Sequence, residues 1–191
     1  MARCREFDTD ETLDRCLGLF WAKGFDGVSI SDLEQATGLG RQSLYAAFGN
    51  KEQLFAAVLD RYAAHSDAML APLLTDAAGL AEIHGYAANA LAAQRRSGCS
   101  GCLIVKALWD QGVDDEQLQK RAQAATRRVR AAFVHAIERA VARGEASPGD
   151  ASLRADLAFA AINGLAALRR TGVSEPRALA SLDALLESWR S

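Results

Sequence analysis

Hydrogen-bonding side chains are concentrated between residues 41 and 45 of this chain, in the order Arg41, Gln42, Ser43 and, after one leucine, Tyr45. An arginine can donate two hydrogen bonds to the edge of guanine, and a glutamine can form a matching pair with adenine. Such groups in the first turn and a half of a helix indicate DNA recognition, because the N-terminal residues of a recognition helix contact base edges in the major groove. A half-buried packing role is the alternative for Tyr45.

A second group able to do chemistry is the thiol pair Cys99 and Cys102, with Ser100-Gly101 between them. Two thiols at this spacing can form a disulfide or trap an electrophile, and either event would shift the neighbouring helix. Cys102 would open that helix, where amide dipoles favour the thiolate. Structural packing is the alternative role for Cys102. A small helical thiol oxidoreductase is the competing enzymatic hypothesis, although no strand–helix–strand pattern surrounds the pair.

We expect neither a metal nor a cofactor, and no catalytic residues. A closed structural zinc site needs four ligands, and His65, His84 and His135 show no paired spacing near the two thiols. Cys16 falls on the apolar face of the first predicted helix and is expected in the core.

Composition and charge limit the classes of protein that the chain can represent. Half of its residues are hydrophobic and 24% are charged, which is typical of a globular protein. The net charge of -2 means that DNA contacts have to come from a few placed cations and backbone donors. The first residues lack the apolar core of a secretory signal, and the apolar stretch Leu157–Leu168 is shorter than the ~20 residues that cross a bilayer. We therefore expect a cytoplasmic protein with no membrane partner and with reduced thiols.

The sequence predicts an all-α protein, because alanine and leucine are abundant, only three prolines occur and no alternating β-branched run is present. We predict an N-terminal three-helix DNA-binding domain over residues 1-49 and a larger helical effector-binding and dimerisation domain over residues 50-191. Glycine- and proline-containing turns divide the later part of the chain. The helices predicted there lie near residues 79–96, 102–110, 115–143, 150–171 and 175–190.

Two short helices joined by a tight glycine turn form the centre of the predicted N-terminal domain. Ser29 is expected to cap the first, which stops at Thr37-Gly38, and the second follows Gly40. In a helix-turn-helix, one such helix lies across the phosphates and the next enters the major groove. The same arrangement also occurs in proteins that never touch DNA.

A nearly continuous series of short motifs runs from Phe20 to Leu54. The motifs are Phe20 with Gly24-Phe25, Val28-Ser29-Ile30 with Asp32-Leu33, Ala36-Thr37-Gly38-Leu39, Gly40-Arg41-Gln42-Ser43-Leu44-Tyr45, Phe48, and Asn50-Lys51-Glu52-Gln53-Leu54. In this spacing the sequence resembles the TetR/AcrR family of transcriptional regulators. The resemblance implies a helix-turn-helix protein that is not an enzyme and that binds double-stranded operator DNA as a homodimer. Ala46 and Ala47 depart from the family, which often places a polar aromatic residue just before the phenylalanine.

The resemblance also implies roles for individual residues. The start of the second helix would hold a phosphate, the first two residues of the third helix would contact bases, and a lysine at the head of the fourth helix would hold a second phosphate. The expected DNA contacts are Ser29, Arg41, Gln42, Ser43, Tyr45 and Lys51.

Apolar stripes on the last two predicted helices are expected to form the dimer interface, as the resemblance implies. One recognition helix buries too little surface for useful specificity, so helix-turn-helix proteins usually pair across a palindrome. The alternative is that both stripes pack into their own subunit. The expected interface residues are Phe159, Ala160, Gly164, Leu168, Leu182, Leu186 and Trp189.

An effector is expected among the middle helices, where regulators of this type bind their ligands. The candidate contacts are Tyr86, Asn89, Trp109, Phe133 and Asn163, with Cys99 and Cys102 as a thiol-reactive alternative. The sequence thus predicts a repressor of a palindromic operator that an unknown small-molecule or thiol-reactive effector releases, and it leaves an activator open. A purely structural helical protein is the third class, and it predicts no saturable, salt-sensitive DNA binding.

Overall fold

The computed structural model describes residues 7–99, 101–109 and 116–190. Within these ranges it contains nine α-helices, one short 3-10 helix over Ala71–Leu74 and no strand, which confirms the all-α prediction. The predicted bounds agree with the observed ones to within a turn; the ends predicted at 110 and 115 lie outside the described residues. The helices are α1 (Thr9–Lys23), α2 (Ile30–Thr37), α3 (Arg41–Phe48), α4 (Lys51–Leu70), α5 (Leu80–Ser97), α6 (Leu103–Trp109), α7 (Glu116–Ala142), α8 (Ala151–Arg169) and α9 (Glu175–Glu187).

Packing divides the chain into two compact units. Unit 1 comprises Met1–Ala63 and Leu103–Ala122, and unit 2 comprises Ala64–Cys102 and Gln123–Ser191. The chain therefore passes between the units at three points, and the long helices α4 and α7 each contribute residues to both. The predicted functional division after residue 49 stays a prediction, because these units follow packing rather than function.

Unit 1 is built around three buried aromatic rings. The ring centroid of Phe55 lies 4.8 Å from that of Phe20 and 5.1 Å from that of Phe25. The same core takes in three apolar residues that come from α6 and from the first turn of α7: Leu103, Ala107 and Leu118. The helix-turn-helix consequently shares one hydrophobic core with segments that follow it far along the chain.

Caps fix the helix ends of unit 1. The carboxylate of Asp8 accepts hydrogen bonds from the backbone N–H of Asp10 at 2.9 Å and of Glu11 at 3.2 Å, so α1 begins where the acidic residues predict. At the head of α4, the side chain of Asn50 accepts from the N–H of Gln53 at 2.8 Å. Gly38 ends α2 with a φ of 71°, a left-handed conformation that glycine adopts without strain.

Unit 2 packs around the buried ring of Phe133 on α7. The ring of Tyr86 on α5 meets it edge to face, with 5.3 Å between the centroids. On the outer side of α7, Arg128 donates to Asp67 at 3.1 Å and Arg130 pairs with Asp156. One apolar face of α7 is buried along the helix; its residues are Leu118, Ala122, Ala125, Val129, Phe133 and Ile137.

Helix α8 exposes leucines on one side. Leu153, Leu157 and Leu168 are 59%, 45% and 48% exposed. By length and composition alone, this 19-residue helix is apolar enough to cross a membrane, a test that core helices of soluble proteins also pass. The apolar stretch Leu157–Leu168 forms the C-terminal part of this helix, which begins earlier and includes Arg154 and Asp156.

The apolar side chains that were predicted to form an exposed stripe along α9 are buried. Leu182, Leu186 and Trp189 are 0%, 4% and 5% exposed because they fill the core of their own unit. Side chains buried to this extent leave little surface for a second contact, so these three expected interface residues are corrected to core residues. On α8, by contrast, Ala160 and Gly164 are exposed, and Phe159 is half-buried.

Candidate nucleic-acid interface

Helix α3 presents its polar side chains outward. Arg41, Gln42 and Ser43 are exposed, whereas Leu44 is buried in the core of unit 1 at 1% exposure. Tyr45 is half-buried. The structure thus brings the first three predicted contacts together on one open surface at the N-terminal end of a short helix.

The side chain of Arg41 packs against the ring of Tyr45, one turn further along α3. The carbon at the centre of its guanidinium lies 5.1 Å from the centroid of the Tyr45 ring. Residues four apart face each other on a helix, and a guanidinium over an aromatic face is attracted by the ring quadrupole. Tyr45 therefore supports the arginine as well as carrying its own hydroxyl group.

The first amide of α3 is capped by a residue that the sequence analysis missed. Gly40 precedes the helix and has no side chain to cap it. Glu34 of α2 takes that role, because its Oε1 accepts a hydrogen bond from the backbone N–H of Arg41 at 2.7 Å. The available signal was a glycine at an N-cap position, which implies that the cap comes from elsewhere.

Ser29 forms a reciprocal capping box with Asp32. The backbone N–H of Ser29 donates to Oδ2 of Asp32 at 2.8 Å, and the N–H of Asp32 donates to Oγ of Ser29 at 3.1 Å. The Ser29 hydroxyl also lies 2.7 Å from the same carboxylate oxygen. Lys23 Nζ donates to Oδ1 of Asp32 at 2.7 Å, and this hydrogen bond, followed by those from Ser29, lowers the pKa of Asp32.

This arrangement changes the role expected for Ser29. Its hydroxyl group bonds with Asp32, so a phosphate at the start of α2 would be held by backbone amides, and the phosphate contact expected there stays a prediction. The amides of Ile30 and Ser31 come before the first intrahelical bond, which runs from Leu33 N to Ser29 O. Amides at this position point out of a helix and can hold an anion.

Lys51 lies at the first position of α4. Its Nζ is 4.3 Å from the centroid of the Phe25 ring, and its side chain is half-buried. The ring therefore restricts where the ammonium group can go. Ala46 and Ala47, the departures from the family pattern, are both exposed and add no polar group to this surface.

The predicted effector residues are only partly brought together. Tyr86 and Phe133 touch in unit 2, and burial raises the pKa of Tyr86, with smaller contributions from Cys102 and Asp67. Trp109 is 82% exposed and belongs to unit 1, so its placement in a pocket of middle helices is corrected.

The two predicted asparagines do not point to a ligand pocket. Asn89 is exposed, and Nδ2 of Asn163 donates to the carbonyl of Phe159, one turn back on its own helix, at 2.9 Å. A groove of about 230 Å³ does open on unit 2, but none of the predicted effector residues lines it. Its lining residues are Leu80, Ala81, His84, Asp183, Leu186, Glu187 and Arg190.

The two thiols lie at the end of α5 and the start of α6. Cys99 is buried, and its Sγ is 3.5 Å from the carbonyl oxygen of Ser97. Cys102 is half-buried and directly precedes α6, as predicted. Neither thiol forms a disulfide. Across the described residues, no group of three or more His, Cys, Asp or Glu side chains is arranged to hold a metal ion.

Comparison with known proteins decides the family. Residues 13–58 match the family profile "Bacterial regulatory proteins, tetR family", and residues 102–190 match "BetI-type transcriptional repressor, C-terminal". The chain is also 30% identical over 159 residues to the uncharacterized HTH-type transcriptional regulator YezE of Bacillus subtilis (strain 168). The aligned region covers 81% of each protein. This chain belongs to the TetR family. TetR family members are transcriptional regulators rather than enzymes, so the thiol oxidoreductase hypothesis is excluded.

Two further similarities connect this TetR family chain with proteins of stated activity. It is 52% identical over 60 residues to the HTH-type transcriptional repressor ComR of Escherichia coli (strain K12), a match that covers 31% of this chain and 29% of ComR. It is 27% identical to a cysteine double mutant of CifR, a TetR family regulator whose structure is complexed with 26 bp double-strand operator DNA. That similarity covers 98% of this chain and 100% of the CifR chain, with a TM-score of 0.84.

Proposed function

We propose that this TetR family protein is a cytoplasmic repressor that binds a palindromic operator as a homodimer and is released by an effector. The observation that carries the proposal is the exposed group of Arg41, Gln42 and Ser43 at the N-terminal end of a short helix whose opposite face is buried. The operator complex of CifR supports the same mode of binding.

In this proposal α3 enters the major groove. Arg41, held against the Tyr45 ring, pairs with guanine, and Gln42 pairs with adenine. Ser43 and the Tyr45 hydroxyl add shorter contacts to a base or a phosphate. Such hydrogen bonds to base edges supply the sequence specificity of the complex.

Phosphates fix the position of α3 on the duplex. The amides at the start of α2, from Ile30 and Ser31, hold one phosphate, and the ammonium group of Lys51 holds another. Because the chain has a net charge of -2, these few contacts carry most of the electrostatic attraction. Binding is therefore expected to weaken as salt is added, with a shallow slope because few phosphates are contacted.

The exposed face of α8 is the proposed dimer interface. Leu157 and Leu168 supply apolar surface, and the small residues Ala160 and Gly164 between them allow two helices to approach closely. An exposed apolar face of this kind marks a protein or membrane contact, and the family assignment favours a second copy of the chain over a membrane. To occupy two half-sites one turn of DNA apart, the two α3 helices of the proposed dimer have to lie roughly 34–36 Å from each other.

An effector that binds unit 2 near Tyr86 and Phe133, or that reacts with Cys102, would release the operator. A coupling free energy of about 1–3 kcal/mol between the two sites would lower operator affinity 5- to 150-fold.

The test is a selection of DNA from a random-sequence library by the purified protein, followed by affinity measurements on the enriched duplex. We expect a palindromic sequence, and we expect Arg41→Ala to lose about 1–3 kcal/mol of discrimination at one base position of each half-site. Arg127→Ala removes the same charge from an exposed position on α7 and is expected to retain that discrimination. Enrichment of no sequence, or equal effects of the two substitutions, would contradict the proposal.

A further inference from the structure

Lys106 of α6 binds the C-terminal end of α1. Its Nζ donates a hydrogen bond to the carbonyl oxygen of Trp21 at 3.0 Å and another to that of Ala22 at 3.1 Å. The last carbonyl groups of a helix point away from it and take partners from outside. The partial negative charge at this end of a helix also attracts a cation. One ammonium group thus bridges two carbonyls of a helix that lies 85 residues earlier in the chain.

The position of Lys106 is fixed by its own helix. Leu103 and Ala107, three residues before it and one after it, are 0% and 3% exposed in the core of unit 1. Residues three and four apart share a helix face. Because α6 is held by this buried face, the Lys106 ammonium is carried to the end of α1 rather than left free in solvent.

The end of α1 in turn sets the start of α2. Lys23, the last residue of α1, pairs with Asp32, and Asp32 forms the capping box of α2 with Ser29. Helix α2 then caps α3, because Glu34 accepts from the N–H of Arg41. A continuous series of polar contacts therefore leads from Lys106 to the first residue of the helix proposed to contact bases.

We propose that Lys106 is a positioning residue for operator binding, which acts by holding the C-terminal end of α1 rather than by contacting DNA. The inference rests on the proposed function.

The test compares Lys106→Met, Lys106→Arg and Lys120→Met. Methionine keeps an apolar stem of similar length but has no donor, whereas arginine keeps the charge and the donors. Lys120 also belongs to unit 1 and bears the same charge, but it is 58% exposed and pairs with Glu116 on its own helix. Its substitution controls for the loss of one positive charge near the DNA-binding unit.

Affinity is measured on the duplex that the wild-type protein enriches, over a series of salt concentrations. We expect Lys106→Met to bind about tenfold more weakly, within the range of a coupled contact, and Lys106→Arg and Lys120→Met to bind like the wild type. A lysine that contacted a phosphate directly would also lower the slope of log affinity against log salt by about 0.9. We expect Lys106→Met to keep the wild-type slope. Wild-type affinity of Lys106→Met, or a reduced slope, would overturn the proposal.

Hydrogen exchange of the amides over residues 24–32 tests the same contact without DNA. We expect faster exchange there in Lys106→Met than in Lys120→Met, at equal global stability. Equal exchange in the two variants would overturn the inference even if operator binding were established. If the wild-type protein enriched no DNA sequence, the proposed function would fail, while the exchange result would still decide whether Lys106 holds α1.

Discussion

Glu34 is the residue that connects the two helices of the helix-turn-helix by a side-chain cap. Its carboxylate accepts a hydrogen bond from the backbone N–H of Arg41, the first amide of α3, because Gly40 at the N-cap has no side chain that could do so. A carboxylate at a helix N-terminus also interacts favourably with the helix dipole. Its position seven residues before Arg41 makes the cap a contact across the turn, not within one helix.

We expect Glu34→Ala to destabilise the protein by about 1 kcal/mol, the usual cost of a lost N-cap. Glu34→Gln should lose less, because its amide oxygen can still accept from the Arg41 N–H. Gln35→Ala, at an exposed neighbouring position on α2, serves as the control. Urea unfolding measures all three, and equal stabilities of the alanine variants would contradict the role given to Glu34.

Asp32 makes the stability of unit 1 depend on pH. The hydrogen bond from Lys23, followed by those from Ser29, lowers its pKa in the folded protein below the ordinary value of 3.8. The unfolded chain therefore binds the proton more readily than the folded protein does. The stabilisation is complete above that ordinary value and is lost as the pH falls below it towards the folded pKa.

We expect Asp32→Asn to be less stable than the wild type at neutral pH, because asparagine cannot form the ion pair with Lys23. The difference should shrink as the pH falls below about 4, where the wild-type carboxylate is protonated in the unfolded chain. Thermal unfolding of both proteins between neutral and acidic pH measures it. Stability curves that run parallel over the whole range would show that Asp32 is not the titrating group.

Helix α6 contains one buried leucine and one exposed leucine. Leu103 is fully buried in the core of unit 1, whereas Leu108 is 38% exposed. Both are leucines of the same seven-residue helix, so they form a matched pair for measuring what the buried contact contributes.

We expect Leu103→Ala to destabilise the protein by about 2–5 kcal/mol, because it leaves a cavity in a packed core. Leu108→Ala should change stability by no more than about 0.5 kcal/mol, as exposed substitutions usually do. Chemical denaturation followed by far-UV circular dichroism compares them. A small loss for Leu103→Ala would mean that α6 is not part of the core that supports the helix-turn-helix.

Local signals predicted the helices of unit 1 well. Ser29 caps α2 and Gly38 ends it, as predicted, because caps and turns depend on residues only a few positions apart. The outward direction of Arg41 follows in the same way from the inward direction of Leu44. The sequence periodicity already contains this information.

Contacts between distant segments were not predictable in this way. Nothing near Leu103 in the sequence indicates that it shares a core with Phe20, since that contact depends on how the helices pack. The same limit explains the error on α9, where the stripe of Leu182 resembled that of Leu168 on α8. Periodicity identifies an apolar face but does not tell which partner covers it.

At the scale of the whole molecule, the exposed face of α8 is the surface through which we propose that two copies pair. Its leucines stay exposed in a single chain, and its small residues leave room for a neighbouring helix. The proposed interface is therefore narrower than the one expected from sequence, because α9 contributes its apolar side chains to its own core.

We expect Leu157→Glu to prevent formation of the proposed dimer, because that interface would then bury a carboxylate from each copy. Operator affinity should then fall by more than tenfold, since one half-site supplies too few contacts. Leu74→Glu introduces the same charge at another leucine of unit 2 that is 58% exposed, and it should leave the dimer intact. Analytical ultracentrifugation distinguishes the outcomes; a Leu157→Glu dimer would place the interface elsewhere.

The three crossings of the chain between its compact units limit how this regulator can be recombined with a relative. A hybrid protein that took only Met1–Ala63 from this chain would have an incomplete core in unit 1. It would lack the apolar side chains of Leu103, Ala107 and Leu118, which belong to that core. Such a graft would expose apolar surface at the base of the DNA-binding helices, whatever sensor followed. A functional hybrid therefore has to include Leu103–Ala122 as well as Met1–Ala63. The DNA-binding unit of this protein is built from two separate segments of the chain, and neither can be exchanged without the other.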